Sequence, residues 1–355
     1  MTSLPPWLLE PLHALVASRQ TLHHALLFVG PEGVGKEWLA RALAAALLCD
    51  QPTSAGLACG QCPACRWMSL DSHPDFRCVR PAADEAPGEE SDTASARAAK
   101  ASRDIRIEQI RALAAFVEVA SHRGGEKIIL VTPADAMNAA AANALLKTLE
   151  EPPARTRFLL VTHRAFRLPA TVRSRCRTVP VAVPPAAVAL DWVVAQSGVD
   201  RERASEWLAF CGGAPRRASE MGSADASARQ RDLTELLGAG PRLTLAEAAD
   251  RLQAHEPRHW VPVLHAWCVD LARCSAGGRP RLFPGAAGPL GELALRVDSA
   301  RLLAFDRWLQ QLERLVSHPL NARLVAEDAL SRYHATFSRG ASASAQGRAA
   351  HRARA

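Results

Sequence analysis

The chain has 355 residues, 48% of them apolar and 22% charged, which is ordinary for a soluble protein and long enough for two or three domains at roughly 100–200 residues each. No apolar run reaches the roughly 18 residues that cross a bilayer, and no N-terminal stretch reads as a signal peptide, so the expected location is cytoplasmic. The formal net charge of +7 is weak evidence for nucleic-acid binding, because Arg339, Arg348, Arg352 and Arg354 lie in an acid-free tail and leave about +3 for the rest.

In chain order, the apolar run Ala25-Leu26-Leu27-Phe28-Val29 reads as a strand and leads into Gly30-Pro31-Glu32-Gly33-Val34-Gly35-Lys36-Glu37, which opens a helix. Strand, glycine-rich loop and helix N-terminus are the setting of a phosphate-binding P-loop, with backbone N–H groups facing the anion and Lys36 as its counter-charge. A P-loop NTPase also needs a Ser or Thr hydroxyl after the lysine to hold magnesium, and Glu37 stands there, a carboxylate expected to sit against the phosphates. The strand Ile128–Val131 should end in acids that hold the metal, yet Thr132 and Pro133 follow. Intrinsic hydrolysis is therefore not expected. Retained Gly30, Gly33, Gly35 and Lys36 leave residual nucleotide or phosphate binding open.

Between these two strands, Cys59-Gly60-Gln61-Cys62-Pro63-Ala64-Cys65 spaces three thiols two residues apart, and Cys49 lies ten residues earlier at the end of the P-loop helix. In a reducing compartment this spacing points to metal rather than disulfides, and four thiolates make a closed, structural zinc site. Cys49 is the preferred fourth ligand, with Cys78 and His73 as competitors. Cys176, Cys211, Cys268 and Cys274 sit among apolar residues and read as core fillers. Residues 81–103 are polar and rich in Pro, Ser and acids, a flexible insertion. A helix over Ile105–Ala120, the Ala-rich helix Ala136–Glu150 and a strand over Phe158–Thr162 complete an alternation that predicts a parallel sheet covered by helices on both faces.

Beyond Pro185 the pattern is helical. Short segments Ala187–Gln196 and Arg201–Cys211 and one opened by Pro215, divided by Gly198 and Gly212-Gly213, suggest a three-helix lid. Amphipathic helices then run to about Thr336, and Trp7, Trp38, Trp260, Trp267 and Trp308 read as core residues. The tail from Ser338 reads as disordered. Any contact with DNA has to be local, through patches such as Arg164 to Arg177, with five arginines and no acid.

The most specific stretch is Asn143-Ala144-Leu145-Leu146-Lys147-Thr148-Leu149-Glu150-Glu151-Pro152-Pro153, followed by the strand Phe158–Thr162 and by Ser174-Arg175-Cys176. In order and separation these motifs resemble those of the clamp-loader subunits of bacterial DNA polymerase III, of the AAA+ class. Within that family the damaged pocket fits the branch that shares the fold of the catalytic subunits without being a competent ATPase. The resemblance covers the first 180 residues and implies an AAA+ P-loop domain over 1–182, with the zinc excursion at 49–65, then a lid at 183–224, an all-α collar at 225–337 and a basic tail at 338–355. It implies that Arg175 acts as an arginine finger in a neighbouring ATP site, and that Arg216, in Gly213-Ala214-Pro215-Arg216, lies where a phosphate-contacting sensor arginine would be. The implied partners are ATPase subunits of gamma/tau type, a delta-type subunit, and, through the complex, the sliding clamp and primed DNA. Two rivals remain from the residues alone: an autonomous ATPase using Asp135 for magnesium, and a zinc-dependent DNA-binding module.

Overall fold

Five strands pair in parallel to form one sheet: β1 (Ala25–Val29), β2 (Phe76–Val79), β3 (Lys127–Val131), β4 (Thr156–Thr162) and β5 (Arg177–Pro180), in the order β2-β3-β4-β1-β5. The computed structural model describes residues 4–84, 102–119, 121–222, 224–315 and 321–337. Two compact units are present, one holding residues to Val193 together with Ala214–Arg217, the other Val194–Gly213 and the chain from Ala218.

In the first unit the central strands are apolar because both faces are covered. All of β3 is buried, as is β4 apart from Arg157. Helices α1 (Pro6–Ala17), α2 (Lys36–Leu48), α3 (Pro63–Ser69), α4 (Ile107–Glu118), α5 (Ala139–Glu150) and α6 (Ala170–Arg173) surround the sheet. On one side Ile110, Leu113 and Val117 of α4 and Leu145 and Leu149 of α5 join Ile129, Val131, Phe158 and Leu160 in a single core, which bears out the expected α/β class. The N-terminus of α5 is set by Asn138, whose side chain accepts the Ala141 N–H at 2.8 Å.

Helix α4 begins at Ile107 rather than Ile105. Ile105 is wholly buried and makes a parallel bridge with Met137, donating to Ala136 O at 2.8 Å and accepting from Asn138 N at 3.2 Å, so its backbone is committed before the helix opens. The insertion expected at 81–103 starts with a short turn at Ala82–Asp84 held by a hydrogen bond from Ala83 N to Ser102 O. Its centre, 85–101, lies outside the described residues, as does the tail from 338.

Helices form over the three segments that read as a lid: α7 (Ala186–Ser197), α8 (Arg201–Phe210) and α9 (Pro215–Glu220). The second unit continues with α10 (Ala224–Gly238), α11 (Leu245–Gln253), α12 (Pro257–Ser275), α13 (Ala287–Ala294), α14 (Ser299–Leu315) and α15 (Ala322–Ala335). Its core gathers Leu233, Leu237, Trp260, Leu264, Trp267, Leu302, Phe305, Leu312 and Tyr333. Within it, Trp267 Nε1 donates to Tyr333 Oη at 2.9 Å, and Tyr333 in turn donates to Leu237 O at 2.7 Å. Among the described residues no helix is long and apolar enough to cross a membrane.

Candidate functional site

The glycine-rich loop joins β1 to α2 at the C-terminal edge of the parallel sheet, where ligands of such sheets bind. Gly33 and Gly35 take φ of 82° and 98°, the left-handed region that side chains avoid, and a Cβ on Gly30 would meet Val181 O at 2.1 Å. The loop thus keeps the backbone path of a phosphate cradle. Its side chains are turned to other uses. Lys36 is 2% exposed and its ammonium donates to Pro31 O, within its own loop. Burial lowers its pKa to about 8, against the opposing pull of Glu32 and Asp135.

Glu37 does not face the cradle as a phosphate neighbour would. Its Oε1 accepts from Arg41 Nε at 2.9 Å and from Arg80 Nη2 at 3.2 Å, and Arg41 also pairs with Asp71. Two guanidiniums and two carboxylates therefore stand beside the position where a P-loop NTPase holds magnesium. Asp135, the acid that the autonomous-ATPase rival would recruit, has Oδ1 engaged by Thr162 Oγ1 at 2.8 Å and His163 N at 2.9 Å. These bonds tie the turn after β3 to the end of β4. Thr132 is buried and donates its N–H to Val79 O.

The mouth of the loop is walled by groups that sequence reasoning did not bring together. Trp7 Nε1 donates to Val34 O at 2.9 Å, and Trp7 and Trp38 both pack against Trp192, with ring centroids 5.4 and 5.9 Å apart. Trp7 and Trp38, expected in the core, are half-buried at this rim. A Cβ on Gly35 would come within 2.7 Å of Leu8, and one on Gly33 within 2.7 Å of Arg217 Cβ. The sensor candidate Arg216 donates its backbone N–H to Gly33 O at 3.0 Å and lays its guanidinium 5.3 Å above the Trp38 ring. No spacing rule links positions 7, 38, 192 and 216; only the fold does.

The four cysteines converge. The Sγ atoms of Cys49, Cys59, Cys62 and Cys65 all lie within 4.8 Å of one another. Cys49–Cys62, Cys59–Cys65 and Cys49–Cys65 are separated by 3.8, 3.9 and 3.6 Å. Four sulfurs placed tetrahedrally at about 2.3 Å from zinc are about 3.8 Å apart, so the donor set fits that ion. Backbone N–H groups point at the sulfurs, from Cys59 to Cys49 at 3.3 Å, from Cys62 to Cys59 at 3.3 Å and from Cys65 to Cys62 at 3.4 Å. Hydrogen bonds from Gln61 and Cys62 bring the Cys59 thiol down to about 6, while burial pushes Cys65 and Cys49 up. Among the described residues the converging set does not include the competing ligands, His73 and Cys78. His73 Nδ1 accepts from Asp75 N at 3.1 Å, and Cys78 Sγ lies 3.3 Å from Arg80 and 3.6 Å from Arg41.

Arg175 follows α6, whose entry is set by Pro169 with φ of −51°. Nη1 donates to Thr171 O at 2.9 Å, and Nη2 forms an ion pair with Glu150 at the end of α5. Both partners remain accessible, with side chains 34% and 49% exposed. Pairs of this kind are worth about 0–1 kcal/mol, so Glu150 orients the guanidinium without trapping it. The two family-like motifs, Leu149-Glu150-Glu151-Pro152 and Ser174-Arg175-Cys176, are thus joined by an ion pair.

The chain resembles known proteins. The family described as "DNA polymerase III, delta subunit" matches residues 9–184. A DNA polymerase III subunit delta' of Escherichia coli K12 is 32% identical over 305 residues, covering 84% of this chain and 85% of its own. The chain belongs to the DNA polymerase III delta' family. The subunit delta' of Pseudomonas aeruginosa is 39% identical over 222 residues, 62% of each chain, so that match spans less than two thirds of the relative. Among solved structures, a gamma subunit-related protein of Thermotoga maritima aligns with a TM-score of 0.45 at 18% identity over 92% of this chain and 99% of its own.

Proposed function

We propose that this delta' family member is a non-catalytic subunit of the clamp loader, taking part in ATP-dependent loading of the sliding clamp on primed DNA and supplying Arg175 to the nucleotide site of an adjoining ATPase subunit. The observation that carries the reading is the Glu37–Arg41–Arg80 cluster. It fills with internal ion pairs the place where magnesium would be coordinated, and Thr132 and Pro133 supply no carboxylate to hold the ion. A fold of this class without its own metal site still has chemistry to offer outward. A fixed guanidinium neutralises charge that builds on a phosphoryl group in transfer, an effect of about 10³ to 10⁵ in rate for arginine fingers. Arg175 is held by accessible partners that a triphosphate can outcompete.

Cys49, Cys59, Cys62 and Cys65 would hold a zinc ion whose role is structural, since four thiolates leave no open coordination position. Three further assignments go with this reading: residues 183–224 as a lid, residues 225–337 as the collar that assembles with gamma/tau-type and delta-type subunits, and action in the cytoplasm. The test is reconstitution of the complex with its ATPase subunits and measurement of clamp-stimulated turnover. Arg175→Ala is expected to lower turnover severely with assembly intact; equal turnover for variant and native chain would remove the trans-acting role. Hydrolysis by the isolated chain that survives Arg175→Ala and disappears in Lys36→Ala would instead identify an autonomous ATPase.

A further inference from the structure

Phe166 is 78% exposed, the most exposed aromatic ring among the described residues. It sits on a turn at Ala165–Arg167 in the segment that links β4 to β5 and carries Arg175. That segment is firmly seated. Leu168 and Val172 are 3% and 0% exposed and lock into the core formed by Leu145, Leu149, Phe158 and Leu160. A ladder of backbone turns runs along it, from Arg167 N to Arg164 O at 2.9 Å, Leu168 N to Ala165 O at 3.2 Å, Arg173 N to Pro169 O at 3.1 Å and Arg175 N to Val172 O at 3.2 Å. At its start, the His163 N–H is held by Asp135. The ring is therefore presented by a rigid platform, with its inner side bolted to the sheet and its outer side given to solvent.

The charges around the ring have one sign. Arg167, Arg173 and Arg177 are exposed, and none has an ion-pair partner among the described residues; Arg175 pairs with Glu150. An exposed aromatic rimmed by arginines is the composition of protein–protein hot spots, in which the ring fills a pocket and guanidiniums pair across the boundary. A platform for single-stranded nucleic acid, by contrast, uses successive rings for successive bases, and this segment has one.

We infer that Phe166, flanked by Arg167 and Arg173, is the docking anchor that seats this chain on the adjoining ATPase subunit, against an acidic rim around that subunit's nucleotide. The inference rests on the trans-acting role proposed for Arg175. Phe166 supplies the apolar attachment, the unpaired arginines fix the orientation, and Arg175 is thereby carried to the phosphates. A positively charged surface fits the negative field of a bound triphosphate, which gives the pairing its charge complementarity.

The test uses the full chain titrated against the ATPase subunits, reading association and turnover together. Phe166→Ala changes a solvent-facing ring, so the fold is expected to hold, and circular dichroism checks it. The variant is expected to weaken association about ten-fold or more, with a loss of turnover overcome by raising the chain's concentration. Phe166→Trp is expected to restore association. Arg167→Ala with Arg173→Ala is expected to weaken association and to flatten its salt dependence. Unchanged affinity for Phe166→Ala alongside lost turnover for Arg175→Ala overturns the docking site and leaves the trans-acting role standing. Weakened affinity for Phe166→Ala alongside normal turnover for Arg175→Ala supports the docking site and removes the finger. Unchanged assembly with weaker binding of a primed oligonucleotide would make Phe166 a DNA contact and overturn the inference.

Discussion

The glycine-rich loop and the segment from His163 to Cys176 lie in the same unit and use the same kinds of side chain to opposite ends. Around the loop, polar side chains are engaged internally: the Lys36 ammonium on the Pro31 carbonyl, Glu37 on Arg41 and Arg80, Asp135 on Thr162 and the His163 N–H. Along the segment, charge is left over: Arg167 and Arg173 are exposed with no ion-pair partner among the described residues, and an aromatic ring stands in water. A phosphate site that satisfies itself has little to give a ligand. A surface with unmatched cations and exposed apolar area is built for a partner. The same sheet thus carries a closed site and an open one, and substitutions at the two should behave differently.

The largest separation is expected in reconstituted complexes. Arg175→Ala should lower turnover at the adjoining site by about 10³-fold, while Lys36→Ala should leave it near the native rate; a deep loss for Lys36→Ala would show that the closed site is in use. Zinc comes next. Purified chain should contain one equivalent of zinc by elemental analysis, and stripping it, or changing Cys59 or Cys62 to Ser, should lower the thermal midpoint and open residues around 49–70 to proteolysis. A metal-free chain of undiminished stability would remove the structural role.

The third test is the pH dependence of Lys36. Its folded-state pKa of about 8 lies below the ordinary lysine value of 10.5. Below pH 8 the ammonium is charged in both states and its burial opposes folding in full. Between about pH 8 and 10.5 the folded chain releases the proton while the unfolded chain keeps it, so stability rises with pH. The native chain should gain up to about 3 kcal/mol over this window relative to Lys36→Met, as measured by urea unfolding at fixed pH; parallel curves would place the ammonium in water. The smallest effect belongs to Glu37→Thr. Restoring a hydroxyl should produce no hydrolysis, because Thr132 and Pro133 still supply no acid, and should lower stability by about 1 kcal/mol as Arg41 and Arg80 lose their shared partner.

What the sequence disclosed follows from how local each signal is. The P-loop, the Cys59–Cys65 run and the Asn143–Pro153 helix are contiguous, so spacing alone exposes them, and the four sulfurs do converge. Strands β1, β3 and β4 are built around continuous apolar runs, Ala25–Val29, Ile128–Val131 and Phe158–Val161, and are easily read. Strand β5 escaped notice because Arg177-Thr178-Val179-Pro180 is short, polar and closed by proline, as suits an exposed edge. Strand β2 was masked by Arg77 and Cys78 between Phe76 and Val79. Least legible was the direction of charged side chains. Glu37, expected against phosphate, turns instead to Arg80, 43 positions away, while Glu150 reaches Arg175. Only the fold brings such groups within range.

Tyr333 is the single tyrosine of the chain, and its phenol is enclosed in the helical unit between Trp267 and the Leu237 carbonyl. Near-ultraviolet absorption and dichroism assigned to that phenol therefore form a built-in gauge of how well this bundle is packed. Melting of the helical unit can be followed there by a native chromophore, with no label introduced, while the strand-bearing unit is monitored by other means.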